Sequence, residues 1–175
     1  MHYLKAIAQD LHGNGHADTV ILHFYQQRPG RPDELIYDIV GQEMTLGAKW
    51  GGHSKAGALD LDKRRIATFA DNFLKLNWFN TASYWQRSLV LYVDDFGEAG
   101  WPASVTLEFR ESKASGGKAL LVSTAMGYDI DSDGVLETFT HSDIDHNGVA
   151  DKADKALLRT LCKSFLAFEW YETKE

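Results

Sequence analysis

Three features of the 175-residue chain predict an α+β fold, with an antiparallel β-sheet of about five or six strands packed against two main helices. Short runs rich in β-branched and aromatic residues recur along the chain, joined by connections that suit antiparallel neighbours. Two longer segments instead repeat apolar residues at helical spacing. A dense acidic segment, 129–154, leads into the last helix and reads as a C-terminal calcium loop–helix unit. The length fits a single domain, 1–175, large enough to bury a full core.

The elements follow in order. Residues 2–9 form a short, apolar first strand, and Thr19–Tyr25 a second, β-branched and aromatic. The glycine-rich stretch between them is a hairpin turn. Gln26–Asp33 holds two of the three prolines and is a loop; Glu34–Val40 is a third strand. Gly41–Gly57 reads as a long loop with Trp50-Gly-Gly-His-Ser54 at its centre, either a pocket edge or a plain turn. After Asp60-Leu-Asp62, with Asp62 as N-cap, Ile66, Phe69, Ala70, Phe73 and Leu74 mark one face of a helix that Asn77–Thr81 ends. Lys63, Arg64 and Arg65 oppose the dipole at its start and read as a solvated face.

Trp85–Val93, Ser104–Arg110 and Ala119–Ala125 read as three further strands. Asp94, Asp95 and Glu98 lie in the first connection and read as a polar hairpin loop. Ala153–Trp170 is the second helix, its stripe made by Leu157, Leu158, Leu161, Phe165 and Phe168.

Composition narrows the function classes. Apolar residues make up 44% of the chain, which excludes general disorder. The acidic balance gives no basic face for nucleic acid, and no apolar run approaches the roughly 20 residues that cross a bilayer. The first ten residues lack a signal-peptide core, so the expected compartment is cytoplasmic by default, or extracellular if a leader has been removed. The lone Cys162 falls on an apolar helix face and reads as a buried small hydrophobe.

Between Asp129 and Asp154 eight acids face one base, Lys152. That local −7 equals the net charge of the whole chain, so the remaining charges cancel. Such a cluster repels itself unless solvent or a cation neutralises it. Its spacing favours calcium, which takes six to eight oxygens from alternate side chains of a loop turned sharply at a sixth-position glycine. Asp143, Asp145 and Asn147 stand at positions one, three and five, and Gly148 at six. Val149 offers a carbonyl at seven, with Asp151 at nine and Asp154 at twelve. An earlier loop repeats the register with Asp129, Asp131, Asp133, Gly134, Val135 and Glu137, but its twelfth position is Thr140, a weak ligand.

The segment resembles EF-hand-like loops of the dockerin kind, in which aspartate fills the last position. The resemblance implies calcium binding at Asp143, Asp145, Asn147, Val149 and Asp154, with Asp151 direct or through water. It does not imply cohesin binding, because the two loops start only 14 residues apart, with no helix between. One or two ions are expected, with Glu137 as a bridging group. Asp10, His12, Asn14, Gly15 and Asp18 copy the same register. They resemble the Asp-x-Asp-x-Asp-Gly-x-x-Asp loops of integrin-type FG-GAP repeats, although histidine is a poor ligand for a hard cation. A bare turn and a degenerate calcium loop both fit.

The function expected is that of a calcium-binding domain rather than an enzyme, its calcium structural, its partner a protein or a small-molecule ligand. Self-association stays open. A sensor, whose terminal helix would expose Phe165 and Phe168, is one variant. The alternative is a metal-dependent or histidine-using enzyme drawing on His12, His16, His141 or His146. No nucleophile elbow, phosphate-binding loop or dinucleotide fingerprint supports it.

Overall fold

The computed structural model describes residues 1–42, 49–54, 62–79, 86–112 and 117–172. The chain runs β1 (His2–Gln9), β2 (Thr19–Gln26), β3 (Glu34–Gln42), β4 (Lys49–Ser54), α1 (Lys63–Leu74), β5 (Gln86–Phe96), β6 (Pro102–Ser112), β7 (Leu120–Tyr128), β8 (Thr138–Phe139) and α2 (Lys152–Leu166). The strands form one antiparallel sheet in the order β4-β3-β2-β1-β5-β6-β7-β8.

The fold is α+β with two main helices, but it has seven strands and a two-residue eighth rather than five or six. The seventh is β4, inside the segment expected to be a loop. Two adjacent glycines give Lys49–Ser54 a poor strand propensity, and pairing with β3 overrides it. The rest of the Gly41–Gly57 segment beyond Gln42, the lead-in Asp60-Leu61, the helix stop at Asn80-Thr81, Trp85 and Gly116 lie outside the described residues. Asp94 and Asp95, expected in a loop, belong to β5, which bulges there against β6. α2 ends at Leu166 rather than Trp170, with Ala167 as its C-cap.

Period-two alternation sends one row of side chains to the core from every long strand. Phe24, Leu4, Leu91, Leu107 and Ala125 lie side by side across five strands, and all are buried. Both helices press their stripes on this face. Phe69 of α1 meets Phe168 at 5.6 Å between ring centroids, and Phe168 meets Phe24 of β2 at 5.5 Å. Asp62 caps α1 by accepting from Arg64 N–H at 2.9 Å. Arg65, expected to be merely solvated, donates to the carbonyl of Ala167 at 2.6 Å and so supports the C-terminus of α2.

Gly127 brings α2 and β8 close to the sheet. A Cβ there would lie 2.8 Å from the Phe139 ring and 3.3 Å from Cys162 Sγ. Burial pushes the Cys162 thiol up to about 12, so it is an inert core group at neutral pH. Among the described residues, no helix is long and apolar enough to cross a membrane.

Candidate metal centre

Three loops share one hydrogen-bonded frame. In Asp143–Asp154, the first aspartate accepts from Asn147 N–H at 3.1 Å and Gly148 N–H at 2.8 Å. Asp145 accepts from Asn147 N–H, and the Asn147 amide oxygen from Val149 N–H. In Asp129–Glu137, Asp129 accepts from Asp133 and Gly134, Asp131 from Asp133, and Asp133 from Val135. In Asp10–Asp18, Asp10 accepts from Gly13, Asn14 and Gly15, and Asn14 from His16. Backbone conformation repeats with equal fidelity. Position four has positive φ in each loop, at Gly13, Ser132 and His146, and so does position six, at Gly15, Gly134 and Gly148. The sixth-position glycines follow from this, since φ values of 84°, 90° and 94° penalise any Cβ.

The loops differ in how they close. Two are hairpin loops, with the position-nine N–H bonded to the residue before the loop: Asp18 to Gln9 and Glu137 to Tyr128. Their ninth-position acids fold back, Asp18 accepting from Leu11 and His12, and Glu137 from Ile130. The third loop enters α2, and its closing acid is the twelfth. Asp154, 2% exposed, accepts from Ile144 and Asp145 on one oxygen and from Asp151 on the other. Asp151 caps α2 through Ala153 N–H at 2.7 Å, and the two aspartates form a reciprocal capping box. Thr140, at the twelfth position of the earlier loop, extends the sheet instead, bonding Met126 through both N–H and Oγ1.

These frames gather the carboxylates into two groups that share no residue. Asp129, Asp131, Asp133 and Glu137 form one; Asp143, Asp145 and Asp154 form the other. Within each, one oxygen per residue lies within 4.8 Å of all the others. Calcium–oxygen distances are roughly 2.3–2.6 Å, so oxygens about 4.6–5.2 Å apart can touch one ion from opposite sides. The donor set is hard oxygen throughout, as calcium requires. Glu137 belongs with the earlier loop, and Asp151 is occupied with the helix cap.

The N-terminal loop has the frame with only two carboxylates, Asp10 and Asp18. His12 stands at position three, and its Nδ1 contacts Asp18 Oδ2. Although desolvation opposes it, hydrogen bonds from Leu11 and His12 hold Asp18 down to about 2. The histidines expected for catalysis do not converge on an acid cluster. His16 and His141 are exposed, and among the described residues neither carboxylate group includes a histidine.

His146 has a role its sequence context hid. At φ 58° its ring stacks on Trp78 at 5.0 Å, while Ile144 two residues earlier is 1% exposed. Loop positions two and four thus anchor the second loop in the core. Position four tolerates histidine because short polar side chains enter the left-handed region more readily than most. Its partner Trp78 is 68 residues away in sequence, and no local pattern names it. Trp101, itself exposed, lies against the earlier loop, its ring 3.5 Å from where a Gly134 Cβ would lie. No protein-family model, curated protein sequence or solved structure matches this chain.

Proposed function

We propose that the protein is a calcium-binding domain whose calcium is structural, with one ion at each C-terminal loop. Asp129, Asp131, Asp133 and Glu137 would hold the first, with the Val135 carbonyl. Asp143, Asp145, Asn147 and Asp154 would hold the second, with the Val149 carbonyl and Asp151 at its edge. The observation that carries the reading is the shared frame: each loop's backbone N–H groups fix its carboxylates, and the fixed carboxylates point oxygens at one another. Unneutralised, that arrangement sets like charges within 4.8 Å. Two divalent ions would take the local −7 to about −3.

A structural rather than sensing role agrees with the core. Phe165 is fully buried and Phe168 is 2% exposed, so the terminal helix keeps its apolar stripe covered.

Thermal unfolding in excess EDTA and across a calcium titration tests the proposal. Calcium at a hundredfold excess over Kd should add about 2.7 kcal/mol for each site. In a chain of this size each kcal/mol raises Tm by about 2–4 °C. Asp143→Ala should abolish one site's share and leave the other. A calcium-independent Tm in the wild-type protein would remove the proposal.

A further inference from the structure

The helices cover one face of the sheet, and the opposite face carries a row of polar and aromatic side chains with an opening among them. Register places Lys5 between His23 and Val90, with Glu108 one strand beyond. The adjacent row sets Tyr3 between Tyr25 and Tyr92. Between these rows lies a cavity of about 520 Å³ whose lining includes Tyr3, Lys5, Val90, Tyr92, Glu108 and Arg110. That volume lies within the range of small-molecule sites.

Several of the groups around the cavity are held by one another or by a neighbour. Arg110 donates from Nε to Glu108 Oε2 at 2.7 Å, and Tyr92 Oη donates to Glu108 Oε1 at 3.2 Å. Tyr3 Oη donates to Asp33 at 2.7 Å, and its ring stacks on Tyr25 at 5.0 Å. Beside the cavity, His23 Nε2 sits 3.3 Å from Asp38 Oδ1, but neither that oxygen nor His23 Nδ1 has a hydrogen-bond partner among the described residues. The Lys5 ammonium, half-buried at the centre, has no hydrogen-bond or ion-pair partner among the described residues. Burial, reinforced by the nearby Arg110 charge, lowers its pKa. A cation held this way is poorly compensated, and an anion entering the cavity would relieve it.

We propose that this face is a binding site for a small aromatic carboxylate, its carboxylate on Lys5 and its ring against Tyr3, Val90 and Tyr92. One unpaired cation matches one negative charge. Asp33, Asp94 and Glu108, which also line the cavity, disfavour a phosphate dianion. The hydrogen bonds that hold both tyrosines leave their rings as fixed walls for a planar body. The site lies across the sheet from the helices and does not depend on the calcium reading.

The test is an NMR titration of the calcium-supplemented protein with benzoate and, separately, its neutral isostere benzamide. Saturable benzoate binding is expected, with nuclear Overhauser contacts from its ring to Tyr3 and Tyr92 and with benzamide at least tenfold weaker. Lys5→Met should weaken benzoate at least tenfold, while Lys5→Arg stays within threefold and both variants keep the wild-type Tm. Absence of saturable binding, equal affinity for the two probes, undiminished binding by the folded Lys5→Met protein, or contacts confined to another surface would each overturn the proposal.

Discussion

Single residues decide whether each acidic loop is a frame or a tangle of repelling charges. Asp154 is the clearest case, because three N–H donors converge on its two oxygens. Asparagine has the same shape but only one acceptor oxygen, so Asp154→Asn must orphan at least one donor in a buried setting. The expected loss is about 1–3 kcal/mol in EDTA, read from urea unfolding, with a further loss in calcium. Equal stability of variant and wild type in EDTA would show that the converging bonds contribute nothing to the fold. Much of this was legible in the sequence: alternating acids and a sixth-position glycine announce the loops. The role of Thr140 was not, because its hydroxyl is committed by pairing with β7 and not by loop spacing. Nor was the anchoring of His146 on Trp78, since nothing local encodes a contact 68 residues distant.

At the scale of elements, periodicity located the helices and six strands, because each buries one face against a single core and its apolar spacing records that burial. It missed β4, whose glycines carry no pattern, and the two-residue β8, too short to have one. The two helix N-caps give a prediction that separates helix stability from metal binding. Asp62 caps α1 far in sequence from either acidic group, whereas Asp151 caps α2 at the edge of one. Asp62→Ala should cost about 1 kcal/mol whether or not calcium is present. Asp151→Ala should cost a similar amount in EDTA and more in calcium, because the capping residue would also border the ion. Chemical denaturation of both variants with and without chelator reads the difference. Identical calcium dependence in the two would place Asp151 outside the metal site.

For the whole molecule, the groups buried around the sheet set a limit on the alkaline side. Burial pushes Tyr92 from 10.0 up to about 12, helped by the Glu108 carboxylate, and pushes Cys162 from 9.0 up to about 12. Tyr3 is raised as well, first by burial and then by its hydrogen bond to Asp33. A raised acid keeps its proton in the folded state after the unfolded chain has released it. Its contribution is therefore fully present below the unfolded pKa and is lost as pH climbs towards the folded one. Stability should start to fall near pH 9, where Cys162 titrates in the unfolded chain, and fall faster above pH 10 as the tyrosines join. Cys162 alone should remove about 1.4 kcal/mol per pH unit in that window. Urea midpoints at half-unit intervals from pH 8 to 11 measure the slope. Cys162→Ala, whatever its constant cost from lost packing, should flatten the curve between pH 9 and 10 and make the limb above it shallower by the thiol's share, leaving the tyrosines' part. An unchanged slope in that interval would mean that the thiol ionises in the fold as readily as in the open chain. The tight contact of α2 with Gly127 and Phe139 would then admit water.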